Sequence, residues 1–142
     1  MSDAAILDLR DVGVTLSGRA VVRSLTATLA AGRLVAVLGP NGAGKTTVLR
    51  ALAGLVPHTG AIRLAGRPVA GLRVEERARA LAYLPQGHQV HWPLPARDVV
   101  ALGRYAHGAR DPRRLPEADA RAVDEALARM DCLAFADRDV QT

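Results

Sequence analysis

Residues 39–46 read Gly-Pro-Asn-Gly-Ala-Gly-Lys-Thr and match G-x-x-x-x-G-K-[ST]. Each fixed position has a chemical reason. Glycines let successive backbone N–H groups turn inward, so a short loop becomes a concave set of donors for an anion. A helix opening near Lys45 adds the positive end of its dipole. Lys45 then reaches the β- and γ-phosphates of a nucleoside triphosphate, and the Thr46 hydroxyl offers Mg²⁺ a hard oxygen. Gly39, Pro40, Asn41, Gly42, Ala43, Gly44, Lys45, Thr46 and Thr47 are therefore the candidate nucleotide-binding residues. Lys45 is the single lysine beside eighteen arginines. A chain that otherwise uses arginine has placed a slim ammonium here rather than a planar fork. The glycines fall at 39, 42 and 44, in the wrong order for the dinucleotide fingerprint G-x-G-x-x-G.

Such a loop must be held between a strand and a helix. Leu34-Val35-Ala36-Val37-Leu38, directly before it, is an unbroken apolar run that predicts a strand buried on both faces. Lys45 to Ala53 has helical spacing, and Gly54 is a stop signal. Upstream, 6–9 and 12–16 read as two strands broken at Arg10 and Asp11. A turn at Ser17-Gly18 leads into an alternating run from Val21 to Leu29. Gly60–Leu64 and Arg67–Val69 read as a strand and its return, Val74–Ala80 as a short solvated helix, and Leu81–Leu84 as a strand ended by Pro85. Beyond Gln86 the pattern turns helical, over Arg97–Tyr105 and Pro116–Met130. In the last helix Ala118, Ala122, Ala126 and Met130 share a face with Val123 and Leu127. These changes set a boundary near residue 87. Residues 1–86 are the nucleotide-binding core with its β lobe, and 87–142 a partial helical subdomain.

Composition narrows the class. The chain has 142 residues, 49% hydrophobic and 23% charged, as one ordinary globular domain does. No apolar run approaches the ~20 residues of a membrane span, and no leader pattern opens the chain. One cysteine, Cys132, forms no internal disulfide, which fits a reducing cytosol; it reads as a small core residue. The net charge of +5 suits a basic surface, a nucleic-acid face, an anionic membrane or an anionic ligand. Aromatics number four, too few for the stacking platform of a nucleic-acid binder. Arg110, Arg113 and Arg114 read as a solvated basic loop. His88, His91 and His107 lack the further ligand that a metal site needs. Asp8 ends an apolar run but precedes the loop, as a strand-edge carboxylate. Trp92 either contacts a partner or packs within its subdomain.

Together these residues resemble the ATP-binding subunit of ABC transporters. Gly39 to Thr47 is that family's wording of the phosphate loop, Leu52-Ala53-Gly54-Leu55 with Thr59-Gly60 resembles its continuation, and Gly66-Arg67-Pro68 resembles a turn of its antiparallel lobe. Tyr83-Leu84-Pro85-Gln86 resembles the Q-loop, which implies a catalytic and Mg²⁺-binding role for Gln86 beside Lys45 and Thr46. Val99 to Tyr105 is similar to a stretch in importers of iron–siderophore complexes, haem and cobalamin. The resemblance implies an α/β P-loop NTPase of ABC type, with an N-terminal antiparallel β lobe and an incomplete helical subdomain. It implies ATP and Mg²⁺ as cofactors and hydrolysis coupled to uptake. The implied partners are transmembrane permease subunits, a second copy docked head to tail and, indirectly, an external substrate-binding protein, with no nucleic acid. The implied place is the cytoplasmic face of the cell membrane. The family's adenine-stacking aromatic is replaced here by Leu16, which implies weak base discrimination. The sequence also ends before the family's signature motif and Walker B acid, so the chain is expected to bind ATP without hydrolysing it alone. The alternatives are a soluble ABC ATPase acting on nucleic acid or ribosomes, and a non-catalytic ATP-binding fragment.

Overall fold

A computed structural model describes residues 5–87 and 90–142. They form two compact units. One runs to Arg73 and includes Ala80–Tyr83; the other comprises Val74–Arg79 and Leu84–Thr142.

The first unit is built on one antiparallel sheet in the order β2-β1-β3-β4. β1 spans Ala5–Leu16, β2 Arg19–Ala30, β3 Thr59–Leu64 and β4 Arg67–Pro68. The break read at Arg10 and Asp11 is a bulge inside one continuous strand. Leu7 and Leu9 are buried, and strict alternation would carry Asp11 and Gly13 inward next. The register instead shifts between Leu9 and Val12, so Val12 and Val14 take the buried face. Asp11 adopts φ 51 at this bulge. Its N–H donates to Thr26 Oγ1 at 3.0 Å, and Ser24 donates its hydroxyl to the Asp11 carboxylate. Across the sheet, Gly60 faces the bulge so closely that a Cβ there would lie 2.2 Å from the Asp11 carbonyl oxygen. Both hairpins close with two positive-φ residues, Ser17-Gly18 and Ala65-Gly66, as the twist of the strands prefers. Leu9, Val12, Val14, Ile62 and Val69 form the core with Ala51 of α1, Lys45–Leu52. Each large side chain buried here contributes about 1.5–3 kcal/mol.

Two expected strands do not form. Leu34–Leu38 joins no ladder among the described residues, and Leu34 and Leu38 are 101% and 88% exposed. An apolar run becomes a buried strand only when neighbours pair its backbone and cover its faces. The four strands of this sheet pair among themselves and leave 34–38 outside. Leu81–Leu84 likewise has no strand partner among the described residues.

The second unit is helical. α2 spans Val74–Ala80 and buries no residue, as its charge pattern predicts. α3 spans Ala96–Ala101 and continues as 3-10 turns over Leu102–His107, so the helix expected through Tyr105 tightens after one and a half turns. α4 spans Glu117–Arg129. Its buried face is Asp119, Val123 and Leu127; Ala118 and Met130 face outward, which rotates the expected face by one residue. The cause is an ion pair. Arg104 reaches Asp119 at 2.6 Å and draws a carboxylate into the interior. Arg113 pairs at 3.2 Å with the other buried acid, Asp98, so part of the basic loop is structural. Arg97 donates to Asp124, and that hydrogen bond holds its guanidinium above the usual arginine range. Backbone bonds from Ala96 to Arg138 (2.9 Å), Arg97 to Ala136 (2.8 Å) and Val140 to Leu94 (3.0 Å) clasp the start of α3 to the last residues. Cys132 is half-buried beside this core.

Candidate nucleotide-binding site

The phosphate loop lies between β2 and α1. Gly39, Gly42 and Gly44 all take positive φ, at 155°, 79° and 86°. Only glycine adopts the first of these freely, and a side chain at the other two would be strained. The loop closes on itself through Ala43 N–H to Pro40 O at 3.3 Å. Gly44 is the N-cap, and Val48 N–H returns to its carbonyl at 2.9 Å, which starts α1. No side chain caps this helix, and no acid stands in its first turn. The first N–H groups of a helix have no intrahelical acceptor, so this end is a donor set with a positive dipole and no competing carboxylate. Gly44 also has a packing reason: a Cβ there would lie 3.1 Å from both Val21 Cγ1 and the Val21 carbonyl oxygen. β2 therefore backs the loop, a role that no local pattern in the sequence signals.

Lys45 folds over the loop. Its ammonium donates to Gly39 O and Pro40 O, both at 2.7 Å. An ammonium has three donors, so the third remains for an oxyanion at the loop. Thr46 is exposed on the first turn and Thr47 half-buried. The Thr46 hydroxyl has no partner among the described residues. One hard hydroxyl oxygen beside a phosphate-binding loop suits Mg²⁺, which takes few protein ligands and completes its shell with phosphate and water. Asn41 and Ala43 are exposed along the same loop.

The remaining sequence candidates fall elsewhere. Leu16 ends β1 and is half-buried against the sheet core. Gln86 belongs to the second unit, in an exposed turn with Gly87. Asp8 accepts from Arg10 at 2.9 Å and from Thr28 at 3.3 Å; it is not at a strand edge as expected, because β1 is an inner strand and Asp8 is paired there with Thr28 of β2 and Arg63 of β3. His88 lies outside the described residues. His91 and His107 are exposed, and no cluster of metal-ligating side chains occurs among the described residues. Trp92 is 69% exposed and so does not pack into its unit. A groove of about 250 Å³ lies along Ala96, Phe135, Arg138, Asp139, Val140 and Thr142. Its one cation, Arg138, stacks 5.5 Å from the Phe135 ring. Without converging donors or a nucleophile, that groove carries no chemistry comparable to the loop's.

Comparison with known proteins agrees with this geometry. The family model described as ABC transporter matches residues 22–142. The hemin import ATP-binding protein HmuV of Mesorhizobium japonicum is 40% identical over 94% of this chain and 49% of its own length. The cobalamin import ATP-binding protein BtuD of Halobacterium salinarum is 38% identical over 94% of this chain and 33% of its own. A solved ATP-binding subunit of an ABC transporter superposes with a TM-score of 0.75 at 25% identity, over 94% of this chain and 54% of that one. An inward-facing metal-chelate type ABC transporter shares the fold, with a TM-score of 0.72 at 22% identity over 96% of this chain and 48% of that one. The chain spans half or less of the length of these curated relatives. With an antiparallel β lobe, a phosphate loop opening α1 and a helical unit, it belongs to the ABC transporter family.

Proposed function

We propose that this chain is the ATP-binding part of an importer's ATPase subunit, serving uptake of haem, cobalamin or an iron complex. The observation that carries the reading is the loop itself: a donor set at the start of α1, free of acid, with Lys45 held across it by two carbonyls. The names of the relatives support the choice of cargo. When bound, Mg²⁺ would supply charge neutralisation at the phosphates, with the Thr46 hydroxyl as its ligand from this unit. Lys45 would orient the β- and γ-phosphates by its third N–H. The carboxylates described in the loop's own unit, Asp8 and Asp11, are both engaged, with Arg10 and with Ser24. ATP binding is the activity assigned to this chain. In the whole transporter, two such subunits would meet head to tail and act on transmembrane permease subunits at the cytoplasmic membrane face. A substrate-binding protein would feed the permease from outside.

The test is genetic. A Lys45→Ala substitution at the chromosomal locus should abolish energy-dependent accumulation of one labelled cargo among haem, cobalamin and a ferric chelate. Undiminished accumulation of all three would contradict the importer reading. Recovery of RNA rather than a permease with the tagged protein would favour the soluble alternative.

A further inference from the structure

The positive charge of this protein is not spread evenly. The unit that carries the phosphate loop holds nine Lys and Arg against three Asp and Glu, whereas the helical unit holds ten against eleven. The whole net charge of +5 thus resides in the first unit, at +6, with −1 in the second. Within the first unit, the two described acids lie on β1 and are both occupied. Asp8 neutralises Arg10, and Asp11 accepts from Ser24. Arg19, Arg23 and Arg50 are exposed and pair with no carboxylate among the described residues.

Two of these arginines flank the β2 residue that backs the loop, and the third lies in the last turn of the helix that the loop opens. Arg19 and Arg23 stand two residues to either side of Val21, or about 7 Å along β2. Val21 is the residue whose carbonyl oxygen would lie 3.1 Å from a Cβ at Gly44. Arg50 lies about 7.5 Å along α1 from Lys45. All three therefore sit on the order of 10 Å from the loop, about one Debye length at 0.1 M salt. No hydrogen bond joins them to the loop among the described residues. They raise the local potential through which a polyanion arrives.

We infer that Arg19, Arg23 and Arg50 steer the nucleotide into the loop, so that capture is set by the ligand's negative charge. The inference rests on the nucleotide-binding reading above. It assigns these arginines to the association step, and it gives the one-sided charge a role in selecting triphosphate over less charged nucleotides.

Stopped-flow binding of a fluorescent N-methylanthraniloyl ATP to the full chain, at dilute protein, tests it. The association rate should fall steeply between about 20 mM and about 500 mM KCl, as the Debye length shrinks from roughly 20 Å to roughly 4 Å. The slope should be shallower for the corresponding ADP. The triple variant Arg19→Gln, Arg23→Gln, Arg50→Gln should lower the low-salt association rate about tenfold, leave the dissociation rate unchanged, and converge with the unmodified chain at high salt. A salt-independent association rate in the unmodified chain overturns steering while leaving nucleotide binding intact. A variant effect confined to the dissociation rate also overturns it, since the arginines would then hold bound nucleotide. Absence of any binding by the unmodified chain overturns both this inference and the reading beneath it.

Discussion

Leu16 and Lys45 mark two degrees of commitment at the residue scale. Lys45 is fixed by two carbonyl bonds of 2.7 Å. Leu16 is fixed by packing against the sheet core, and at the position where the family resemblance implies an adenine-stacking ring it supplies an aliphatic side chain without a π-face. Base stacking at nucleotide sites is worth roughly 1–3 kcal/mol. ATP and GTP should therefore bind this chain within about tenfold of each other, or roughly 1.4 kcal/mol. Leu16→Tyr should tighten ATP and widen that gap in competition binding. A strong ATP preference in the unmodified chain would assign base recognition to a different residue. The loop residues are legible in the sequence because their chemistry is local: eight consecutive positions carry glycines, cation and hydroxyl in fixed order. The pairs Arg104–Asp119 and Arg113–Asp98 are not, since each joins residues fifteen apart that only the folded helical unit brings together. A buried aspartate on α4 reads as polar in any helical pattern until its partner is known.

The elements show the same contrast between short-range and long-range causes. Hairpin turns, the start of α1 and the bounds of α2 follow from dipeptides and capping chemistry, and the sequence places them closely. The bulge in β1 reads as a break, because a one-residue insertion that flips the buried face looks, in one dimension, like two strands. Only β2 and β3 reveal it as one strand, through the Thr26 bond and the close approach of Gly60. Gly60→Ala is the corresponding prediction. It places a Cβ 2.2 Å from a carbonyl oxygen at φ 74. The strained backbone alone costs about 1–3 kcal/mol, and the clash adds to it. Gly66→Ala is the control: its φ is 77, but nothing lies within 4 Å of the added Cβ. The urea midpoint should drop clearly more for Gly60→Ala than for Gly66→Ala. Equal losses would show that the bulge contact has no part in stability.

At the scale of the whole molecule, the run Leu34–Leu38 is the apolar segment whose exposure bears on solution behaviour. Its apolar composition implies burial, yet the sheet of this chain offers it no partner strand, so composition and pairing disagree. An unpaired apolar segment of this kind associates. The chain should self-associate with rising concentration, and Leu34→Ser with Leu38→Ser should raise the monomer fraction in sedimentation velocity. A monodisperse, cooperatively melting monomer from the unmodified chain would mean that the run closes a core of its own. The central claim is nevertheless the loop, and calorimetric titration of the dilute chain with ATP and Mg²⁺ tests it most directly. One saturable site is expected. Lys45→Ala should weaken it roughly 10- to 100-fold, since charge-assisted hydrogen bonds contribute about 1.5–3 kcal/mol. Equal affinity in the two proteins would contradict the account.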